Sequence, residues 1–404
     1  MKTKKKGKKR GGTFNQIWWK LNSAKKEAAK VASALELVNP AQFHKIQNYF
    51  HEFLLFDQPD EVSVEWKALS STGKHGKVCL VKYTGPEHQS FALLKQGMVE
   101  NSDNLMVEYL TGARLNKFYD QLPSLVYTHG IYTAWAEKPV VLPQPAPNFA
   151  YVQGFDQKKY LRNKGLATAC DPTVGLNHLL LLTHYVQDAE PLDSMMYSSP
   201  RFNDVRRDDA ALFPIFFQIM YSVYVLHYYT GFKHNDLHEN NVLVRTLPRP
   251  VEFVFHLASP KDKNTPEKRR ADLAEHQTTK SKKPFMPTVP VRFRTRYFAK
   301  IIDYGQCTHD ETPTAEFKKT PACHAKLDMG FYPVFIADPA AKKKDVAVVS
   351  DYLNNLISNK GSNWSFQEIV DFLARQFQSM EFPETPLLGT LTVDAFNGKA
   401  MVFR

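Results

Sequence analysis

The sequence predicts an α+β fold in two lobes. Three observations predict it: short β-rich runs crowd the stretch from Val62 to Gln96, helical patterns dominate from Asp208 onward, and a polar loop, His234 to Val242, follows a long apolar helix. A chain of 404 residues with 43% hydrophobic content is long enough for two cores and ordinary for a globular protein. The expected organisation is a basic tail (1–12), a helical extension (13–60), a first lobe (61–187), and a second lobe (188–404) carrying an inserted segment at 246–296.

The formal charge is +11, but seven cations (Lys2, Lys4, Lys5, Lys6, Lys8, Lys9, Arg10) lie in the first ten residues, which leaves a net +4 on the rest. So dense a block repels itself and stays solvated. It reads either as a contact for nucleic acid or another acidic partner, or as a solubilising tail. No apolar core follows the basic run, so a secretory signal is not expected and an intracellular location is. Cys79, Cys170, Cys307 and Cys323 are too few and too scattered for a disulfide framework. Cys307, His309, Cys323 and His324 match none of the usual zinc spacings.

Beyond the tail, helical patterns are expected from Phe14 to Val38 and, after Pro40, through Phe56. Strands follow at Val62–Trp66, Lys77–Tyr83 and Ser90–Lys95, then a helix from Asp103 to Phe118 with Ser102 or Asp103 as cap. Leu125–Trp135 and Ala150–Gln153 are strand-like, and Leu179–Val186 reads as a buried strand ending in a polar connector. Ala211–Phe232 carries no Asp, Glu, Lys or Arg and is long enough to span a bilayer. Its Pro214, Gln218, Ser222, His227 and tyrosines favour a buried helix, so no membrane partner is expected. Val251–Leu257 and Val291–Phe298 alternate enough to form a long hairpin. Ser259–Lys283 between them is polar and without apolar period, and its middle is expected to be disordered.

The chemistry-bearing residues fall in a definite order. Ser71-Thr72-Gly73-Lys74-His75-Gly76-Lys77-Val78 is a glycine-containing hairpin whose small residues would let backbone N–H groups approach a phosphate, although such turns are common. Lys95 ends a strand and Glu108 lies on the next helix, with Glu100 as a nearer competitor. His234-Asn235-Asp236-Leu237-His238-Glu239-Asn240-Asn241 precedes an apolar strand. Ile301-Ile302-Asp303-Tyr304-Gly305 is an apolar strand ending in an aspartate.

Together these resemble the protein-kinase set, over roughly Ser70 to Asp351. With Asp103–Gly112 and Thr128-His129-Gly130-Ile131-Tyr132 they are similar to the serine/threonine kinases encoded by large nucleocytoplasmic DNA viruses. The resemblance implies a two-lobed kinase-like fold with an antiparallel-sheet first lobe and a reduced helical second lobe. It implies ATP and Mg2+ as cofactors, a protein substrate with a Ser or Thr acceptor, and residence in the host cytoplasm, the nucleus or a virion.

By the same resemblance, Ser71, Gly73, Gly76 and Val78 would cover the phosphates, Lys95 would contact them, and Glu108 would pair with Lys95. Tyr185 and Val186 would meet the adenine through backbone groups, with Thr183 at the gatekeeper position. Asp236 would orient the acceptor hydroxyl and take its proton, and Asn241 and Asp303 would hold magnesium. Three departures stand out: Ser71 for the first glycine, Leu93 for the usual small residue over the adenine, and His238 for the lysine that touches the transferring phosphate. His238 resembles small-molecule phosphotransferases of the aminoglycoside or choline-kinase type, which is the alternative reading. A catalytically weak, kinase-like scaffold is a further one. No A-P-E motif follows Gly305; Phe331–Pro339 is a loose candidate for it, and Asp345 for an anchor of the next helix.

Overall fold

The computed structural model describes residues 29, 31–35, 63–73, 76–84, 89–97, 102–135, 149–151, 176–197, 209–237, 239–261, 263–279, 283–309, 366–382 and 384–404. It is a mixed α+β structure with two sheets. The first sheet takes its six strands in the order β1 (Ser63–Gly73), β2 (Gly76–Thr84), β3 (Gln89–Gly97), β6 (Leu176–His184), β4 (Thr128–Trp135) and β5 (Phe149–Tyr151). Every pairing in it is antiparallel. Ala92 and Leu94 of β3 are fully buried while Phe91, Leu93 and Lys95 are half-buried, the two-residue period of a strand with unlike faces.

Helix α1 (Ser102–Leu115) packs against β4 and β6. Leu105, Glu108, Thr111, Gly112 and Leu115 are buried at helical spacing, and Val107 beside them is buried as well. Gly112 permits the close approach, since a Cβ there would lie 2.0 Å from Thr128 Oγ1. Just past the helix, Asn116 locks this contact: its Nδ2 donates to Thr128 O at 2.8 Å and its Oδ1 accepts from Thr128 N at 3.0 Å.

The second sheet follows the short β7 (Ala189–Pro191) and helices α2 (Leu192–Tyr197) and α3 (Asp209–Thr230). Helix α3 is long and apolar enough to cross a membrane, and 94% of that window is buried inside the fold. The sheet consists of β8 (Val242–Ala258), β9 (Thr288–Ile301), β10 (Gly389–Asp394), β11 (Lys399–Phe403) and β7. β8 and β9 form the expected long hairpin, and β10 lies parallel to β8. Phe253, Phe255 and Phe293 of this sheet, Phe217 of α3 and Phe377 of α5 (Phe366–Ser379) make one aromatic layer, Phe217 meeting Phe255 edge-on at 5.4 Å. Val31, Ala32 and Leu35, in a helical turn of the extension, join the same core. This turn falls within the helix expected from Phe14 to Val38; the rest of that helix, and the one expected after Pro40, lie outside the described residues.

Gln218 explains how a polar side chain survives at full burial in α3. Its Oε1 accepts from Ala299 N at 3.2 Å and its Nε2 donates to Tyr297 O at 3.0 Å, so it completes the free edge of β9. The described residues of the second half hold a five-stranded sheet beside helices, and the strands of the 246–296 segment supply much of the core. One expectation is corrected here. The middle of that segment is not disordered: Pro266–Thr278 is a helix, α4, capped by Thr265, whose side chain accepts from Lys268 N. Arg269 and Arg270 each donate from Nη1 to a carbonyl at the end of α3, those of Tyr228 and Tyr229, and Arg269 stacks 4.1 Å over the Tyr228 ring. Cations on the last carbonyls of a buried helix dock α4 without an apolar stripe.

Candidate active site

Strand β3, helix α1 and the end of β9 bring three charged groups together. Lys95 Nζ lies 2.7 Å from Glu108 Oε2 and 3.0 Å from Asp303 Oδ1. Residues 208 positions apart in sequence thus share one ammonium. Burial pulls the Lys95 ammonium down, but Glu108 and then Asp303 more than offset this and hold it above the ordinary lysine value. Burial pushes Glu108 up to about 7, against the pull of Lys95 and with a further push from Asp303. Asp303 sits at φ 63°, a left-handed conformation uncommon for a residue with a side chain, just where β9 gives way to the short 3-10 turn Tyr304–Gln306.

The polar loop is fixed from both sides. Gly231, at φ 62°, ends α3 by donating to His227 O at 2.9 Å. His234 is fully buried and its Nε2 meets Ile302 O at 3.1 Å, while Lys233 and Thr308 exchange two backbone hydrogen bonds of 2.8 Å. Asn235, also at positive φ, donates from Nδ2 to Gln306 O at 3.0 Å and Thr308 Oγ1 at 3.1 Å. Asn241 Nδ2 donates to Asp236 O at 2.8 Å and to Asp236 Oδ2 at 3.3 Å, which turns the amide oxygen of Asn241 the other way. Ile302 N donates to Asn241 O at 3.0 Å, so the Asp236–Asn241 turn and Asp303 are neighbours. His238 lies outside the described residues.

The other expected site residues fall around this centre. Gly73 pairs with Gly76 across β1 and β2, and Ser71 falls in the irregular stretch of β1 between Ser70 and Gly73. Val78 lies directly across the β2–β3 pair from Lys95. Thr183 sits across from Leu93, and Tyr185 and Val186 follow the end of β6, Val186 buried and Tyr185 tilted against Phe91 at 6.4 Å. Phe331–Pro339, Asp345, Cys323 and His324 lie outside the described residues. Cys307 is buried and His309 is engaged by Arg114, whose Nη1 is 2.6 Å from Nδ1 of that ring.

Sequence reasoning missed the supports. Arg114 ties α1 to the segment after Asp303, and burial, Arg114 and Arg270 lower His309 to about 4. Lys300 looks like an ordinary strand lysine, yet it is buried and donates to Pro123 O at 2.6 Å and Leu125 O at 3.0 Å beside the Tyr119 and Phe298 rings. His129 is buried and His184 half-buried, with ring centroids 6.3 Å apart, and burial lowers His129 to about 3. For Lys300, His129 and His184 the available signal was an apolar strand end with one polar residue, which fits a solvated position equally well.

The donor set suits a hard cation. Asp303 and Asp236 offer carboxylate oxygens and Asn241 an amide oxygen, the ligand chemistry that magnesium takes, and Lys95 is a fixed cation beside them. An anion bridging Lys95 and such a cation would be held from two sides. No protein-family model matches this chain, and no curated protein matches it.

Proposed function

We propose that this chain is an ATP- and Mg2+-dependent phosphotransferase that moves the terminal phosphoryl group to a Ser or Thr hydroxyl of a protein. The observation that carries the reading is Lys95 held between Glu108 and Asp303, next to the Asp236–Asn241 turn. Phosphoryl transfer asks mainly for positioned phosphates, neutralised charge and an acceptor in line. Lys95 would hold the phosphates and Glu108 would hold Lys95. Asp303 and Asn241 would hold the metal, whose charge would offset that developing on the phosphate oxygens. Asp236 would orient the acceptor hydroxyl and accept its proton.

The likeness to the two-lobed kinase fold rests on the antiparallel first sheet with a Glu-bearing helix against it, and the motifs favour the serine/threonine kinases of large DNA viruses as kin. A second reading, a kinase acting on a small molecule, is favoured by His238 and by a second sheet that mixes parallel and antiparallel strands.

Turnover of Mg-ATP by the wild type and by Asp303→Ala, with protein and small-molecule acceptors side by side, tests both. Equal rates for the two proteins would sink the phosphotransferase reading, and ADP release only with a small acceptor would replace protein as substrate. A pH profile adds a check on Glu108. Its proton is lost as pH rises through about 7, which completes the ion pair with Lys95, so activity should rise across that range and Glu108→Gln should remove the rise.

A further inference from the structure

Asn235 stands next to Asp236 in the polar loop, and the chemistry proposed above gives it no part. Its backbone is left-handed, at φ 60°, a conformation that glycine adopts freely and asparagine tolerates. A glycine would satisfy that backbone at less cost, so what asparagine adds is its amide. From this position Nδ2 donates to Gln306 O at 3.0 Å and to Thr308 Oγ1 at 3.1 Å. Both acceptors belong to the segment that follows Asp303.

The polar loop and that segment run side by side. Lys233 and Thr308 exchange backbone hydrogen bonds of 2.8 Å, and His234 Nε2 meets Ile302 O at 3.1 Å. The Asn235 amide adds the tie adjacent to Asp236. On the other side of Asp236, Asn241 Nδ2 donates to its backbone oxygen at 2.8 Å and to its Oδ2 at 3.3 Å. Asp236 is thus bracketed by two amides: one turns its carboxylate, and the other fixes the neighbouring residue against the segment beyond Asp303. Asp303 has anchors of its own, the Lys95 ammonium at 3.0 Å and the β9 strand that leads into it. Asn241 has one too, since its backbone oxygen accepts from Ile302 N at 3.0 Å.

We infer that Asn235 is a positioning residue that sets where Asp236 stands relative to Asp303, and so how far the acceptor hydroxyl lies from the metal-held phosphate. The inference rests on the phosphotransfer reading of this site. In-line transfer depends steeply on that separation, and a displacement of about 1 Å can cost on the order of a hundredfold in rate. Nucleotide binding depends instead on Lys95, Asp303 and Asn241, which keep their own anchors. Loss of the Asn235 amide should therefore slow transfer without loosening the nucleotide.

The test compares wild type, Asn235→Gly, Thr308→Val and Thr308→Ser, with ADP release from Mg-ATP measured in the presence of casein. Asn235→Gly should lower kcat roughly ten- to a hundredfold while KM for Mg-ATP stays within about twofold. Thr308→Val removes one of the two acceptors and should lower kcat less, and Thr308→Ser keeps the hydroxyl and should match the wild type. Glycine accepts the left-handed backbone, so the melting temperature of Asn235→Gly should stay at the wild-type value. Wild-type kcat in Asn235→Gly, or a rise in KM with kcat unchanged, would overturn the inference and leave the phosphotransfer reading standing. So would a loss of rate that only follows a loss of folded protein at the assay temperature. A wild type that releases no ADP would overturn the phosphotransfer reading, and this inference with it.

Discussion

The first sheet is antiparallel at every pairing and carries Lys95, while the second mixes parallel and antiparallel neighbours and backs its inner face with phenylalanines from α3 and α5. The charged centre lies where they meet: Lys95 and Glu108 come from the first region, Asp303 and the Asp236–Asn241 turn from the second. The difference teaches a division of labour. An aromatic layer stabilises the second region without polar cost, so that region can hold Asp303 and Asn235 in left-handed conformations. The first region instead presents a half-buried cation, Lys95, with one partner of its own, Glu108, and one from the second region, Asp303.

The largest expected effect breaks the stable side of this comparison. Phe255→Ala removes a ring in edge-on contact with Phe217 and Tyr221 and should lower stability by about 3–5 kcal/mol in denaturant unfolding. The next breaks the chemical side: Lys95→Met should cut phosphotransfer by roughly a hundredfold or more with little change in melting temperature. Matched losses of stability in the two variants would show that the regions do not divide the work in this way.

Acid sharpens the comparison at the seam. His129 is buried neutral, with a folded value near 3 against an ordinary 6.5, so its contribution is present above pH 6.5 and is lost as pH falls below it. Between pH 6.5 and 5 that amounts to about 2 kcal/mol from this residue alone, a slope that His129→Phe should remove from the pH dependence of unfolding. The smallest effect is on α4. Thr265→Ala should cost about 1 kcal/mol, seen as faster amide exchange over Pro266–Thr278.

Much of the candidate site was legible because most of its residues sit at element ends. Lys95, Asp236, Asn241 and Asp303 each stand where a hydrophobic pattern stops, Glu108 is the one carboxylate on the buried face of α1, and their order along the chain points to one site. The helix Pro266–Thr278 was not legible, because what orders it is the cap at Thr265 together with arginines that reach carbonyls 41 residues earlier, in α3. The buried lysine at 300 was hidden for the same reason, since its acceptors, Pro123 O and Leu125 O, belong to the first region.

The sequence by itself determined the local elements: the strands of the first sheet, the buried α3, the β8–β9 hairpin and the polar loop between apolar neighbours. These follow from period, turn residues and apolar runs, which act over a few residues. Only the tertiary structure decided that β10 returns from far along the chain to lie parallel to β8, that Gln218 completes the edge of β9, and that Asp303 closes on Lys95. Each joins groups with no local signal, because a hydrogen bond or ion pair depends on where the chain returns and not on the spacing that carries it there.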